Sequence, residues 1–247
     1  AVAYARDRVQ SRPVDGSMHA AAPIIHHPDV KRMLLTMRAC TEGCRAMALV
    51  AAAAYDASHR HADAQVRQQN QAFYEFLVPL IKGYSTEMSL EVASLGVQVH
   101  GGMGYIEETG AAQYLRDAKI LTIYEGTTAI QANDLVGRKT VRDGGQTAKA
   151  IARQIEATEK QLALRGSAAA KAMHKHLAAA RRAFLEVVDF VAGQTKSGPA
   201  SANAVFAGSV PYLMLAGNLM AGWQMARSLV VAEEKLDAGV EAAFMRA

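Results

Sequence analysis

Alanine is the feature of this sequence that most restricts what the chain can fold into. Of the 247 residues, 49 are alanine and only six are proline. Alanine is the strongest helix former, whereas the β-branched and aromatic residues that favour strands are sparse. Because 51% of the residues are hydrophobic, the chain can bury a core, which excludes intrinsic disorder. We therefore predict an all-α protein.

Charge, cysteine content and hydropathy exclude several classes of function. The formal net charge is only +4 and the basic residues are scattered, so we expect no nucleic-acid partner. The two cysteines, Cys40 and Cys44, cannot frame a disulfide scaffold, which favours a reducing cytoplasm. They lie one helical turn apart and are predicted to be buried small side chains rather than metal ligands. Charges interrupt every long apolar run, so we expect no membrane span. The eight histidines show no metal-ligand spacing, so we also expect no metal site.

Glycine and proline divide the chain into a series of predicted helices. A short helix opens the chain, and residues 11–29, which contain three prolines, are expected to form a loop. A long helix should follow over about 30–62, with a buried stripe formed by Leu34, Met37, Thr41, Cys44, Ala48, Ala51 and Tyr55. Further helices are predicted over about 65–84, 86–100, 110–123, 146–165, 168–193 and 202–236. Neither chain end shows a helix cap, so we expect a piece of a longer protein.

Three glycines within four positions, Gly101, Gly102 and Gly104, interrupt the helices after His100. Glycine allows backbone angles and close approaches that other residues forbid. The cluster lacks the lysine of a phosphate-binding loop and the third glycine of the dinucleotide fingerprint. It can therefore be a simple turn or a cradle for a ligand.

Glu125 lies at a junction between two predicted helices. Gly126 is expected to end the first helix, and Thr128, with Gln131 three residues later, is expected to start the second as a capping box. One interpretation of Glu125 is a solvated surface carboxylate. The other is a carboxylate directed into a pocket, where loss of water would make it a working general base and Gly126 would leave room for a substrate.

Three blocks of sequence resemble the acyl-CoA dehydrogenase family of flavoproteins. They are QVHGGMGY at residues 98–105, LRDAKI at 115–120 and IYEGTTAIQ at 123–131, in the order of the family. Residues 1 to about 140 resemble the C-terminal helical domain of the family. The remainder resembles the extra helical region of a longer-chain subgroup, which includes 3-methylmercaptopropionyl-CoA dehydrogenases and several fatty acyl-CoA dehydrogenases. The resemblance implies a helical-bundle domain over 1–142 and an accessory helical domain over 146–247, without the N-terminal and middle domains of the family.

The same resemblance implies roles for individual residues. Glu125 would be the catalytic base that removes the α-proton of an acyl-CoA thioester, while the β-hydrogen leaves as hydride to N5 of FAD and a trans-2-enoyl-CoA forms. The implied cofactor-binding residues are Arg8, Gln10, Gln98, Gly101, Gly102, Tyr124 and Thr127. The implied substrate-binding residues are Tyr124 and Gly126. His100 and Met103 stand where the family more often has an aromatic residue and asparagine.

Partners and alternatives follow from the resemblance as well. Electrons would pass to an electron-transferring flavoprotein, and an FAD site that borrows residues from a neighbouring subunit implies a dimer or a dimer of dimers. Both 3-methylmercaptopropionyl-CoA and medium or long fatty acyl-CoAs compete as substrates. The alternatives are an acyl-CoA oxidase that uses oxygen and a helical dimerisation module without catalysis, although a scaffold has no need for Glu125. The chain alone is expected to be inactive, because half of the flavin pocket would lie outside it.

Overall fold

The computed structural model describes residues 1–194 and 198–240. Within these residues every regular element is helical, and one isolated β-bridge joins Val9 to Pro23. The all-α fold class is therefore confirmed. The α-helices, in chain order, are α1 (Val2–Asp7), α2 (Pro28–Arg60), α3 (Ala64–Pro79), α4 (Ser85–His100), α5 (Gly102–Tyr105), α6 (Ala111–Leu121), α7 (Thr128–Asp134), α8 (Gln146–Ala163), α9 (Ala168–Gln194), α10 (Pro199–Ala207) and α11 (Ser209–Asp237).

Tighter and wider helical segments connect some of these helices. Ile24–His26 and Glu107–Thr109 are 3₁₀ turns, whereas Leu80–Tyr84 and Leu135–Val141 are π-helical. The predicted break between Tyr84 and Thr86 is wrong, because α3, the first π segment and α4 follow one another without an interruption. Pro79 has no N–H to donate to the preceding turn, and the π-helical hydrogen bonding begins directly after it.

The chain divides into two compact units. The first unit comprises residues 1–42 and 85–127, and its core is a small cluster around Ala5, Ile24, Met33 and Val99. The second unit comprises residues 43–84 and 128 onwards. Its largest fully buried side chains are Phe76, Phe184, Met47, Leu77, Leu80, Leu135, Ile151, Ile155, Leu162, Leu213, Leu219 and Met220. The domain boundary expected between residues 142 and 146 lies inside the second unit, so the division into two sequence domains stays a prediction.

The buried face of α2 differs from the predicted stripe. Ala51 is buried as predicted, but the exposed residues of α2 include Thr41, Ala48 and Tyr55. Four other positions of α2 are buried, and each lies one residue before a position of the predicted stripe. They are Met33, Gly43, Met47 and Ala54. One residue is a rotation of about 100° around a helix. Because an alanine-rich helix has apolar side chains on several faces, their spacing does not identify the face that packs. Cys40 and Cys44 are only half-buried, so their predicted full burial is also wrong.

Two other predicted helices have different bounds in the structure. The helix expected over 202–236 is divided by Gly208 into α10 and α11. Pro211 explains the division, because a proline has no N–H and is tolerated in the first turn of a new helix but not in the interior of a continuous one. The helix α6 ends at Leu121 rather than beside Gly126, whereas α7 begins at Thr128 as predicted.

No single helix among the described residues is both long and apolar enough to cross a bilayer. Residues 200–207 and α11 meet the length and hydropathy requirement only when they are taken together, and they are bent by 48° at their junction.

Candidate functional site

Five of the predicted cofactor-binding residues line one open cavity of about 690 Å³ in the first unit. Two segments that are about ninety residues apart in the sequence meet there. These five residues are Arg8, Gln10, Gln98, Gly101 and Gly102. The lining also contains Arg12, His27 and His100 but no carboxylate, so this cavity suits an anionic group.

Backbone pairing fixes the segment that carries Arg8 and Gln10. The Gln10 N–H donates to the Ala22 carbonyl at 3.0 Å, and the Ile24 N–H donates to the Arg8 carbonyl at 2.8 Å. The His27 imidazole is 2.8 Å from the Gln10 carbonyl through its Nε2. Because these bonds hold the main chain extended, both predicted side chains start from a fixed backbone at the rim of the cavity.

The glycine cluster contributes backbone rather than side chains. Gly101 has φ +61 and ψ −143, a conformation that is essentially restricted to glycine. A Cβ atom added at Gly101 or Gly102 would meet nothing within 4 Å, so open space lies over this stretch of main chain. Gly104 has a packing reason instead, since a Cβ there would lie 2.3 Å from the Val97 carbonyl oxygen. The cluster is thus a turn whose main chain is open at Gly101 and Gly102, and a role as a ligand cradle stays a prediction.

Glu125 lies in the turn after α6 and is exposed to solvent. Its φ is +53, in the left-handed region, and the following Gly126 has φ +99. The turn is anchored by buried Thr122, whose hydroxyl donates to the Lys119 carbonyl at 3.0 Å, and by the Tyr124 N–H, which donates to the Ile120 carbonyl at 3.1 Å. Within residues 1–194 and 198–240, no group accepts from the Glu125 N–H and none donates to its carboxylate.

The other predicted residues of the site lie in the same turn as Glu125. Tyr124 is 47% exposed, and neither it, Gly126 nor Thr127 lines the cavity. The structure therefore arranges the predicted residues in two groups within the first unit. One group is the cavity described above, and the other is the turn of Tyr124, Glu125, Gly126 and Thr127.

Several residues that line the cavity were not predicted from the sequence, and Tyr4 and Arg12 are among them. The ring of Tyr4 lies 4.6 Å from the ring of His100. Arg12 reaches the cavity because residues 8–11 pair with residues 22–24. This pairing covers too few residues to leave an alternating pattern in the sequence, so no local signal could have found Arg12.

Two family models match successive parts of the chain. Residues 1–139 match the family described as acyl-CoA dehydrogenase, C-terminal domain. Residues 148–247 match the family described as acetyl-CoA dehydrogenase C-terminal like. The cavity and the Glu125 turn both lie within the first match.

Known proteins that resemble the chain are considerably longer than it is. The whole chain is 56% identical to 3-methylmercaptopropionyl-CoA dehydrogenase from Ruegeria pomeroyi and covers 41% of that protein. Over 97% of its length it is 35% identical to a broad-specificity linear acyl-CoA dehydrogenase from Mycobacterium tuberculosis, of which it covers 40%. The chain thus spans about two fifths of these relatives.

The fold is shared with solved structures of low sequence identity. The structure of Caenorhabditis elegans ACDH-11 in complex with C11-CoA has a TM-score of 0.63 and is 18% identical to the chain. The similarity covers 90% of this chain and 35% of that one. At this level of identity the comparison bears on the fold alone.

Proposed function

Because the chain belongs to the acyl-CoA dehydrogenase family, we propose that it is the C-terminal part of an FAD-dependent enzyme that oxidises an acyl-CoA thioester to the trans-2-enoyl-CoA. The observation that carries the proposal is the conformation of Glu125. Among the described residues this charged, non-glycine side chain has no hydrogen-bond partner, and it is held exposed in left-handed backbone. Such strain persists mainly where function requires it.

The backbone and the side chain of Glu125 suit removal of an α-proton. The α-carbon of a thioester is weakly acidic, so the negative charge that develops on the thioester oxygen must be stabilised by hydrogen-bond donors. The Glu125 N–H has no acceptor in the described chain and can donate to that oxygen. The Glu125 carboxylate then accepts the α-proton. A bound acyl chain excludes water from the carboxylate and makes it a stronger base.

The residues beside Glu125 provide space and an apolar wall. Tyr124 places an aromatic ring next to the base, and Gly126 has no side chain to obstruct an acyl group. Tyr124 and Thr127 are also proposed to contact the flavin. Each of these four residues comes from one short turn, so a small change in its backbone would displace the base and its neighbours together.

The cavity provides groups that fit the diphosphate of FAD. FAD, when bound, supplies the acceptor for the hydride that leaves the β-carbon. Arg8 can form charge-assisted hydrogen bonds to phosphate, and Gln10 and Gln98 add polar side chains. The open backbone at Gly101 and Gly102 permits close approach. We propose that this FAD belongs to a neighbouring subunit, which makes the active protein at least a dimer.

The proposal extends to substrate and partner. The 56% identity to a 3-methylmercaptopropionyl-CoA dehydrogenase makes 3-methylmercaptopropionyl-CoA the first substrate to test. Medium and long fatty acyl-CoAs come next. An electron-transferring flavoprotein is the proposed electron acceptor.

Anaerobic reduction of the flavin tests the reaction. The longer protein that contains this chain would be mixed with a panel of acyl-CoAs without oxygen, and the visible absorbance of oxidised flavin would be followed. We expect bleaching by one class of acyl-CoA, its loss in Glu125→Gln and its retention in Glu108→Gln, a control in an exposed 3₁₀ turn of the same unit. A protein without flavin, or bleaching that survives Glu125→Gln, would contradict the proposal.

The 247-residue chain by itself is expected to fold as helices and to have no dehydrogenase activity. The relatives from Ruegeria pomeroyi and Mycobacterium tuberculosis are more than twice as long as the chain. The proposed site also needs a hydride acceptor and protection from water that the exposed Glu125 turn does not supply. Far-ultraviolet circular dichroism would check the helices, and acyl-CoA-dependent dye reduction would check the activity. Turnover by the purified chain would contradict this expectation.

A further inference from the structure

His100 occupies a distinctive position in the cavity. It is the last residue of α4 and directly precedes Gly101, where the backbone is open. Its Nδ1 lies 2.7 Å from the Gly96 carbonyl oxygen, and its ring lies 4.6 Å from the ring of Tyr4. These two contacts hold the imidazole in one orientation at the cavity wall.

The contact with Gly96 determines which nitrogen of His100 carries the proton. A carbonyl oxygen only accepts hydrogen bonds, so Nδ1 must be protonated and donate to it. In the neutral ring Nε2 is then an acceptor and cannot bind a phosphate oxygen. In the imidazolium form Nε2 also carries a proton and becomes a charged donor. Protonation therefore decides whether His100 can bind an anion.

The charged groups around His100 favour an anionic ligand. From the other segments that line the cavity, Arg8, Arg12 and His27 face the same space, and the lining contains no carboxylate. An imidazolium at position 100 thus has no acidic side chain in the cavity to pair with. A ligand that brings negative charge would offset part of this positive charge.

We propose that His100 is a further ligand of a phosphate group of the bound nucleotide, and that it binds only as the imidazolium. The inference rests on the proposed function in one respect, that the nucleotide is FAD. The empty space over Gly101 and Gly102, next in the chain, gives the phosphate its approach. FAD affinity consequently increases as the pH falls, because more of the protein then carries the imidazolium that donates to the phosphate.

FAD binding as a function of pH tests the inference on the longer protein. The apoprotein would be titrated with FAD between about pH 5.5 and about pH 8, with flavin fluorescence as the readout. We expect binding to be about tenfold tighter at the lower pH, the size of one charge-assisted hydrogen bond. This pH dependence should disappear in His100→Gln. It should remain in His27→Gln, the matched variant of the other imidazole in the cavity.

Phosphorus magnetic resonance of bound FAD gives a second measurement that needs no variant. At least one of the two phosphorus resonances of the wild-type complex should move with pH over the same range, while those of free FAD stay constant. Fixed resonances, affinity independent of pH, or a pH dependence that survives His100→Gln would overturn the role of His100 and leave the proposed function intact. A pH dependence lost only in His27→Gln would overturn it too. Failure of the wild type to bind FAD at any pH would overturn both proposals.

Discussion

Glu125 is the residue at which local structure and proposed chemistry are most closely connected. A left-handed conformation costs a residue with a Cβ roughly 1–2 kcal/mol. The sequence indicated that Glu125 lies between two helices, but glutamate has no preference for positive φ that could have predicted this conformation. It arises because α6 ends at Leu121 and the chain turns through residues 122–125 before Gly126.

Relief of this strain can be measured in the chain itself. Glu125→Gly should have a free energy of unfolding about 1 kcal/mol higher than Glu125→Ala, because glycine adopts positive φ without a steric penalty. Urea unfolding followed by circular dichroism would determine the difference. The order should reverse at Glu108, which is also exposed but lies in a right-handed 3₁₀ turn. Equal stability of the two Glu125 variants would show that the turn is unstrained.

The site residues separate into those that a motif could predict and those that only the structure could. Gln98, Gly101 and Gly102 lie in one block of sequence, and the resemblance to a family identified them. Tyr4 and Arg12 reach the cavity only through pairing between distant segments. A contact of that kind depends on the folded chain and has no local sequence signal.

At the scale of elements, the existence of helices was predictable but their faces and junctions were not. Alanine content and glycine breaks located most helices to within a few residues. The same alanines made several faces of α2 apolar, so the predicted stripe was one residue out of register. The break predicted between residues 84 and 86 is absent, because the π-helical segment Leu80–Tyr84 continues directly into α4. The buried face of a helix and the junction between two helices depend on tertiary packing, which the local sequence does not determine.

Close packing between α11 and the first π segment makes Gly217 sensitive to substitution. A Cβ at Gly217 would lie 2.1 Å from Cγ of Tyr84, whose hydroxyl donates to Oδ1 of Asn218 at 2.9 Å. Gly217→Ala should therefore lower the free energy of unfolding by about 1–3 kcal/mol. Urea unfolding of the variant would measure this loss.

Gly222 is the matched control on the same helix. A Cβ there meets nothing within 4 Å, so Gly222→Ala gains helix propensity and should raise the free energy of unfolding by up to about 1 kcal/mol. The two substitutions are chemically identical and should have opposite signs. A stabilising Gly217→Ala would contradict the packing around Tyr84.

An ion pair between a buried carboxylate and a partly buried arginine links α8 to α9. Arg181 donates to both carboxylate oxygens of Glu159 at 2.7 and 2.9 Å, and Glu159 is 5% exposed. The hydrogen bonds and negative charge of Glu159 raise the pKa of Arg181 above its ordinary value. Arg181→Met should lower the free energy of unfolding by about 3–5 kcal/mol, because it leaves a buried carboxylate without a partner.

Removal of both charges should be less harmful than removal of the arginine alone. The Arg181→Met, Glu159→Met double variant leaves no unpaired charge, so urea unfolding should show it to be more stable than the single Arg181→Met variant. If the double variant is the less stable of the two, the cost of Arg181→Met does not come from the isolated carboxylate.

For the molecule as a whole, the division into units separates the candidate site from the main core. The cavity and the Glu125 turn belong to the first unit, whose core is small, whereas the large buried side chains belong to the second. The chain spans about two fifths of the relatives that it matches. We therefore propose that the remainder of the longer protein excludes water from Glu125 and completes the flavin site.

Hydrogen exchange at the α-carbon of the substrate tests the central claim, that Glu125 is the base, most directly. The longer protein would be incubated in D₂O with an acyl-CoA whose β-carbon cannot be oxidised, and mass spectrometry would measure deuterium at the α-carbon. We predict uptake by the wild type and by Glu108→Gln, and a decrease of about 10²–10⁴-fold in Glu125→Gln. Uptake at the wild-type rate in Glu125→Gln would contradict the account, because another group would then have to remove the proton.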